Sequence, residues 1–334
     1  MKIAINGFGR IGRVFFRQAF GHDDFDIVAI NDLGDADNLL YLLKYDSVYG
    51  RFEKTMSRRD GEFLIDGKPV QFFQERDPAH LPWKELGIDV VVESTGIFVS
   101  YQMAEAHLKG GAKRVVITAP AKDDGETKTA TPNVGIQFLQ EGKISSNASC
   151  TTNATTPVMS IMMQALGVKK ALLNTVHGYT ATQSLVDSPV AKDYRRGRAA
   201  AVNIVPSHTG AADAVEKAIP GIKGKFDGIS LRVPVISGSV IDFTFVAGRP
   251  TTVEEVNTIL RKAAESPEWG GIMKVTEEPL VSSDILGEPF GSIIDVAFTR
   301  VVDGDLVKIL SWYDNEWGYC AMLMKHIESL KPLL

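Results

Sequence analysis

Cysteine is nearly absent from this sequence: Cys150 and Cys320 are the only two among 334 residues. They can make one disulfide at most, which excludes a secreted disulfide framework and favours a cytoplasmic protein with reduced thiols. Long apolar runs are missing too. No stretch approaches the ~18 uninterrupted apolar residues of a membrane span, so no membrane partner is expected. Met1-Lys2 leads straight into a strand-like run, with no apolar segment followed by a small-residue cleavage site. Positive charge is not in excess either, since 36 Lys and Arg face 41 Asp and Glu for a net charge of -5. A dedicated nucleic-acid binder concentrates positive charge to displace counterions, so nucleic acid is not expected as the primary partner. The small cluster Arg195, Arg196 and Arg198 suits a local anion site better. No internal repeat, flexible linker or set of metal ligands is read from the sequence.

What is present describes an ordinary globular protein, 44% hydrophobic and 23% charged. The length exceeds what one core usually serves, so two domains are expected. The first third alternates short apolar strands (2–6, 27–30, 89–92, 114–117) with helical stretches at 13–20 and 101–108, the latter stopped by Gly110-Gly111. That pattern predicts an α/β, Rossmann-type parallel sheet with both faces covered. Between 50 and 75, Asp60-Gly61 and Asp66-Gly67 predict an antiparallel excursion. The second half offers strands at 172–177, 229–235, 240–246, 293–301 and 306–312, a turn at Asp303-Gly304, and helices at 209–219 and 252–265. It is expected to form a mixed, largely antiparallel α+β domain. Cys320, Leu323, Met324, Ile327 and Leu330 fall at helical spacing, predicting a final amphipathic helix.

Gly7-Phe8-Gly9-Arg10-Ile11-Gly12 fits G-x-G-x-x-G after a strand and at the start of a helix. Such glycines permit a tight turn and let backbone N–H groups approach a pyrophosphate at the positive helix end. Alone the pattern is weak, because glycine-rich turns are common. Asp32 adds to it by standing where the next strand ends, at the spacing from which a carboxylate accepts from the adenosine ribose and repels a 2′-phosphate. A turn plus a capping aspartate is the plain alternative. The ordered series of strand, turn, helix, strand and acid favours a dinucleotide, and NAD over NADP.

Ser149-Cys150-Thr151-Thr152-Asn153 follows a strand-like run at 143–146 and precedes a helical run ended by Gly167. A thiol near a helix N-terminus feels the positive end of the dipole, which is expected to lower its pKa. Pro157 either kinks that helix or marks its true start, leaving Cys150 on the lead-in turn. The ordinary role of a cysteine is that of a small buried hydrophobe, which suits Cys320 on its apolar stripe. Hydroxyl and amide neighbours set Cys150 apart. His177 is the second candidate: a lone histidine is more often structural than catalytic, but this one ends a buried-looking strand before the polar run 178–183, and as a partial or full positive charge near Cys150 it would favour the thiolate. His22, His80, His107 and His326 are read as loop or helix-surface residues. His208 sits in Pro206-Ser207-His208-Thr209-Gly210, read as a hydroxyl-rich helix start suited to an anion.

With these residues assembled, the sequence resembles the glyceraldehyde-3-phosphate dehydrogenase family nearly end to end. The most specific blocks run from Ala4 to Arg13, from Ser146 to Asn153 and from Trp312 to Tyr319, supported by Tyr45-Asp46-Ser47, Glu75-Arg76-Asp77-Pro78 and Arg232-Val233-Pro234. The resemblance implies that Cys150 is the nucleophile and His177 its general base. It implies that Thr180 and Arg232 hold the substrate phosphate, and that Ser149, Thr151, Thr209 and Gly210 hold inorganic phosphate. Asn315 would orient the nicotinamide amide, while Gly7, Gly9, Arg10, Ile11, Gly12, Asp32, Arg76 and Thr118 would serve the dinucleotide. The implied reaction converts glyceraldehyde 3-phosphate and inorganic phosphate to 1,3-bisphosphoglycerate as NAD is reduced, through a Cys150 thioester. An aldehyde has no good leaving group, so the covalent adduct makes hydride departure feasible. The implied domains are 1–149 with 315–334 for NAD and 150–314 for catalysis, in a homotetramer whose loop at 179–202 lies near a neighbour's cofactor site.

Some positions depart from the family pattern. Ala154 stands where many members carry a second cysteine, Thr155 where an aliphatic residue is usual, and His208 where a hydroxyl is usual. Residues 125–143 lack the family's Gly-Val-Asn run. Two rival readings follow from the same residues. One is erythrose-4-phosphate dehydrogenase, with water as the acceptor. The other is a non-catalytic nucleotide- or RNA-binding module on the same fold, against which the Cys150–His177 pair and the acidic balance both speak.

Overall fold

The computed structural model describes residues 1–123, 129–191 and 193–334. The chain divides into two compact units, Met1–Ala148 with Leu323–Leu334, and Ser149–Met322. The first is built on an eight-stranded sheet. In spatial order its strands are Ile144–Ser146, Arg114–Ile117, Val90–Glu93, Lys2–Asn6, Asp26–Asn31, Lys68–Phe73, Glu62–Ile65 and Met56–Arg59. The first six run parallel and the last two are antiparallel. The central strands are apolar because both faces are covered, and Ile3, Ile5, Val91 and Val116 are wholly buried. Asp60-Gly61 and Asp66-Gly67 turn the antiparallel edge with positive φ at both residues, the geometry that hairpin twist demands.

The order around Lys2–Asn6 decides where a ligand can sit. The chain leaves that strand for Asp26–Asn31 on one side and returns as Val90–Glu93 on the other. Connections on either side of such a switch point diverge, opening a crevice beyond the C-terminal strand ends.

The second unit holds a seven-stranded mixed sheet in the order Val205–His208, Phe226–Val233, Val168–Gly178, Ser239–Ala247, Leu306–Tyr313, Ser292–Val302 and Met273–Thr276. Four of its six pairings are antiparallel, which is the expected α/β plus mixed α+β class. Ser239–Ala247 alternates strictly between buried and half-buried positions, so one sheet face is core. Helices Cys150–Ala165, Ala211–Ala218 and Val253–Glu265 belong to the same unit. The last is opened by a Thr252 side chain that accepts from Glu255 N at 3.2 Å.

Several local expectations are corrected. Pro157 lies inside the helix Cys150–Ala165 and does not mark its start, so Cys150 occupies the first helical turn. Residues 205–208 form an edge strand rather than a helix start, and Pro206 is tolerated there because an edge position can spare its missing N–H. The helix expected at 209–219 therefore begins at Ala211. Of the atypical segment 125–143, residues 125–128 lie outside the described residues. Beyond them Thr129 bridges Ser146 and Ile136–Gln140 forms a short 3₁₀ helix.

Candidate functional site

In the first unit a cavity of about 320 Å³ opens beyond the strand ends, lined by Gly7, Gly9, Asp32, Arg76 and Thr95 among others. Gly7 has φ +92°, and a Cβ there would meet Thr95 N at 2.5 Å, so that glycine is obligatory for the turn itself. A Cβ on Gly9 would meet nothing within 4 Å. Gly9 therefore leaves bare backbone facing open space just ahead of the helix Arg10–Ala19, whose capping position carries no side-chain hydrogen bond. Asp32 accepts from Phe8 N at 2.6 Å and from Gly34 N at 2.7 Å, tying the glycine turn to the end of the second strand.

The other expected cofactor residues are distributed unevenly. Arg76 is on the cavity wall. Arg10 is paired with Asp46 and lies over the Tyr49 ring, 5.1 Å from its centroid. Ile11 and Gly12 continue the first helical turn. Thr118 is turned inward, its hydroxyl donating to Glu93 O at 3.0 Å. The sequence reading missed Asn6, Asn31 and Thr95 on this wall. Their signal was positional, since all three stand at or just beyond strand ends beside the switch point.

Two histidines read as surface residues are buried. His107 accepts from Trp83 Nε1 at 3.1 Å on one ring nitrogen and lies 2.9 Å from Glu93 Oε2 on the other. His326 lies 2.9 Å from Ser145 Oγ and 3.1 Å from Asn147 Oδ1, and burial pushes its pKa down to about 4. Helical spacing identified an inward stripe but could not say that a polar partner waits on it.

The second unit gathers the chemical groups. Ser149 caps the helix, its hydroxyl accepting from Thr152 N at 3.1 Å, and Cys150 follows at the first helical position. Cys150 Sγ lies 3.4 Å from Nε2 of His177, which ends Val168–Gly178 and is 3% exposed. Parallel pairing sets His177 opposite Arg232. Arg232 Nη1 lies 2.7 Å from His177 Nδ1 and donates to Gly178 O at 3.2 Å, while Gly178 O is itself 2.6 Å from Nδ1.

These neighbours set the charges. Burial, reinforced by the Arg232 guanidinium, lowers the His177 pKa to about 3, so the ring is neutral and able to accept a proton. Burial also pushes the Cys150 thiol up, against the downward pull of Arg232 and of hydrogen bonds at the helix start. The expected depression of the thiol by the helix end is thus outweighed by desolvation. The positive charge beside the sulfur belongs to Arg232 and not to an imidazolium.

Tyr313, to which the sequence reading gave no role, sits between Thr151 Oγ1 at 2.9 Å and Thr175 Oγ1 at 2.8 Å, with its ring edge-on to His177. Thr151 thereby spends its hydroxyl on Tyr313. Asn315 turns Oδ1 toward Ser239 Oγ at 2.7 Å, and the same serine accepts from Gly178 N at 3.1 Å. Thr180 pairs with Thr182 at 2.9 Å, and Arg196 reaches Thr182 at 3.4 Å while donating to Ser207 Oγ at 2.7 Å. Thr209 accepts from Ala211 N at 3.2 Å, next to the exposed Gly210, and His208 is exposed at the strand edge.

Two family models match the chain. Residues 1–101 match the NAD binding domain, and residues 149–315 the C-terminal domain, of glyceraldehyde 3-phosphate dehydrogenase. Curated relatives are similar over nearly the full length. Glyceraldehyde-3-phosphate dehydrogenase 2 of Streptomyces avermitilis is 46% identical over 97% of this chain and 96% of its own. The Borreliella burgdorferi glyceraldehyde-3-phosphate dehydrogenase is 47% identical over 99% of each chain. That of Neurospora crassa is 45% identical over 100% of this chain and 98% of its own.

Proposed function

The chain belongs to the glyceraldehyde-3-phosphate dehydrogenase family, and from that premise we propose how its residues divide the work. It is an NAD-dependent dehydrogenase that oxidises glyceraldehyde 3-phosphate in glycolysis. Neither the water-using erythrose-4-phosphate enzyme nor a non-catalytic module is needed to explain it. Our reading rests on one observation above the rest, the 3.4 Å approach of Cys150 Sγ to His177 Nε2 at a helix start.

The dinucleotide falls to the cavity of the first unit. Bare backbone at Gly9 suits a pyrophosphate, and Asp32 at the rim suits a ribose diol and opposes a 2′-phosphate. When bound, NAD supplies the hydride acceptor. Gly7, Arg10, Ile11, Gly12, Arg76, Thr118 and Asn315 complete the set we assign to it. The corresponding functional domains are 1–149 with 315–334, and 150–314.

Catalysis begins with a neutral thiol beside a neutral imidazole. His177 Nε2 takes the thiol proton as Sγ adds to the aldehyde carbon, passes it to the carbonyl oxygen to give the hydroxyl of the adduct, and takes it back from that hydroxyl as hydride leaves. A thioester on Cys150 remains, and inorganic phosphate opens it. Arg232 and Thr180 hold the phosphate already on the substrate, with Arg196 adding a second guanidinium nearby. Ser149, Thr151, Thr209 and Gly210 receive the attacking phosphate, for which Thr151 must release Tyr313.

We assign a cytoplasmic homotetramer. Among the described residues no helix is long and apolar enough to cross a membrane. Leu185, Val186, Tyr194, Val202 and Ile204, in and beside the loop at 179–202, are each exposed, and large apolar side chains of this kind are what subunit association covers. The deciding assay is NADH absorbance at fixed glyceraldehyde 3-phosphate, with and without inorganic phosphate. Strict dependence on phosphate is expected, and turnover without it would reject phosphate as the acceptor.

A further inference from the structure

The wall of the dinucleotide cavity continues into a buried chain of side chains whose hydrogen-bond directions are forced. Trp83 Nε1 can only donate, and it donates to His107 Nδ1 at 3.1 Å. With Nδ1 accepting, the ring proton is on Nε2, where it donates to Glu93 Oε2 at 2.9 Å. The same oxygen accepts from Asn6 Nδ2 at 2.6 Å, and Asn6 Oδ1 accepts from Asn31 Nδ2 at 2.7 Å. The other oxygen of Glu93 accepts from Thr95 N at 2.9 Å and from the Thr95 hydroxyl, which in turn accepts from Ile97 N at 3.0 Å. Trp83, His107 and Glu93 are all at most 1% exposed.

The far ends of this chain are cavity wall. Asn6, Asn31, Thr95, Ile97 and Phe98 all line the cavity, and Phe98 packs edge-on against the His107 ring at 6.1 Å between centroids. Trp83 lines none of it, and its ring lies near-parallel to that of His107 at 6.3 Å between centroids. The loop that follows Val90–Glu93 is thus tied down through one carboxylate, and that carboxylate is oriented by a histidine whose tautomer an indole selects.

We infer that His107, oriented by Trp83, is a positioning residue for cofactor binding: through Glu93 it holds Asn6 and the 94–98 loop in the shape that the dinucleotide meets. A histidine of merely structural value would lower stability without changing the affinity of the folded protein. Here the groups it organises are the binding surface, and preorganised walls bind more tightly than walls that must be ordered on contact. The inference rests on the reading of this cavity as the NAD site.

The test is calorimetric titration of the full chain with NAD, which counts only folded sites, alongside KM and kcat. His107→Phe is expected to weaken NAD binding ~10-fold or more, the scale on which outer partners of a site act, and to raise the KM for NAD with kcat little changed. His107→Gln can accept at its oxygen and donate at its nitrogen, so it should restore most of the affinity. Trp83→Phe removes the donor that selects the tautomer, together with part of a buried ring, but leaves His107 in place, and should weaken binding by less than His107→Phe. It carries the decision if His107→Phe does not fold. Asp32→Ala serves as the control for the cavity. If Asp32→Ala weakens NAD while Trp83→Phe and any folded His107→Phe keep wild-type affinity, the positioning role is overturned. If none of the three changes affinity, the cavity reading has failed and the inference falls with it.

Discussion

Arg232 and His177 face each other across two parallel strands, with Nη1 of one 2.7 Å from Nδ1 of the other. Together with burial, this pairing sets the charge state of the site. A guanidinium at that distance disfavours an imidazolium and favours a thiolate. Burial is the larger reason that the ring is neutral, and this one cation reinforces it while partly offsetting the cost of ionising the buried sulfur.

Removing that cation should move both groups in the same direction. In Arg232→Ala the thiol pKa is expected to rise further, and the His177 pKa to climb from about 3 toward its ordinary value of 6.5. The pH profile for inactivation by iodoacetamide should therefore shift to higher pH. Turnover of glyceraldehyde 3-phosphate should fall far more than that of unphosphorylated glyceraldehyde, because the planar fork of donors is lost only to the former. Equal losses for both substrates, with an unmoved alkylation profile, would make Arg232 a purely structural residue.

The two cysteines should be distinguishable without mutation. Cys320 is wholly buried in the final helix, whereas Cys150 is partly exposed beside His177 and Arg232. A sub-stoichiometric alkylating agent should label Cys150 first and abolish activity in proportion. Because desolvation holds the thiol up, labelling should quicken as pH rises above neutrality. Equal labelling in a peptide map would remove the basis for choosing Cys150.

Buried neutral histidines should make stability sensitive to acid. His326 titrates near 4 in the folded protein against 6.5 for an ordinary histidine. Between those values the unfolded chain binds the extra proton, so stability should fall as pH drops from about 6.5 toward 4 and change little above that window. His177, held near 3, extends the same loss to lower pH. The scale is on the order of a few kcal/mol, since a tenfold difference in proton affinity between folded and unfolded chain corresponds to about 1.4 kcal/mol. Replacing His326 by Gln should flatten the dependence of the denaturant midpoint on pH in that window. A slope identical to wild type would show that His326 is not its source.

The parts of this molecule that were legible in the sequence are those set by neighbours along the chain. Continuous apolar runs announced the central strands at Lys2–Asn6 and Val90–Glu93, and Asp-Gly pairs announced the turns because positive φ is a local demand. The Cys150 and His177 placements at element ends were legible for the same reason. What stayed hidden depends on partners far away in sequence. His107 and His326 read as surface residues because helical periodicity reports a face and not what that face meets. Their partners lie 14 and 181 residues distant for Glu93 and Ser145. Val205–His208 was hidden by Pro206 and its hydroxyl neighbours, whose low strand preference is overridden by pairing with Phe226–Val233. The sign of the thiol shift was missed because a helix dipole is visible in sequence and burial is not.

That last correction changes what His177 should do when it is replaced. A charged imidazole would both accept the proton and stabilise the thiolate, so its loss would damage both functions together. The ring is instead neutral at any pH well above 3, because burial and Arg232 both oppose its protonation. Only the role of base remains to it. His177→Asn keeps a polar side chain of similar reach but cannot take the proton, so kcat should fall by ~10²–10⁴-fold. NAD affinity should stay near wild type, since the cavity assigned to NAD is built from other residues. The apparent pKa for alkylation of Cys150 should stay close to wild type as well, in contrast to its rise in Arg232→Ala. The comparison between the two variants is the informative quantity. A rise in the thiol pKa as large in His177→Asn as in Arg232→Ala would mean that the ring carries positive charge in the working enzyme. The cation beside the sulfur would then have been assigned to the wrong residue.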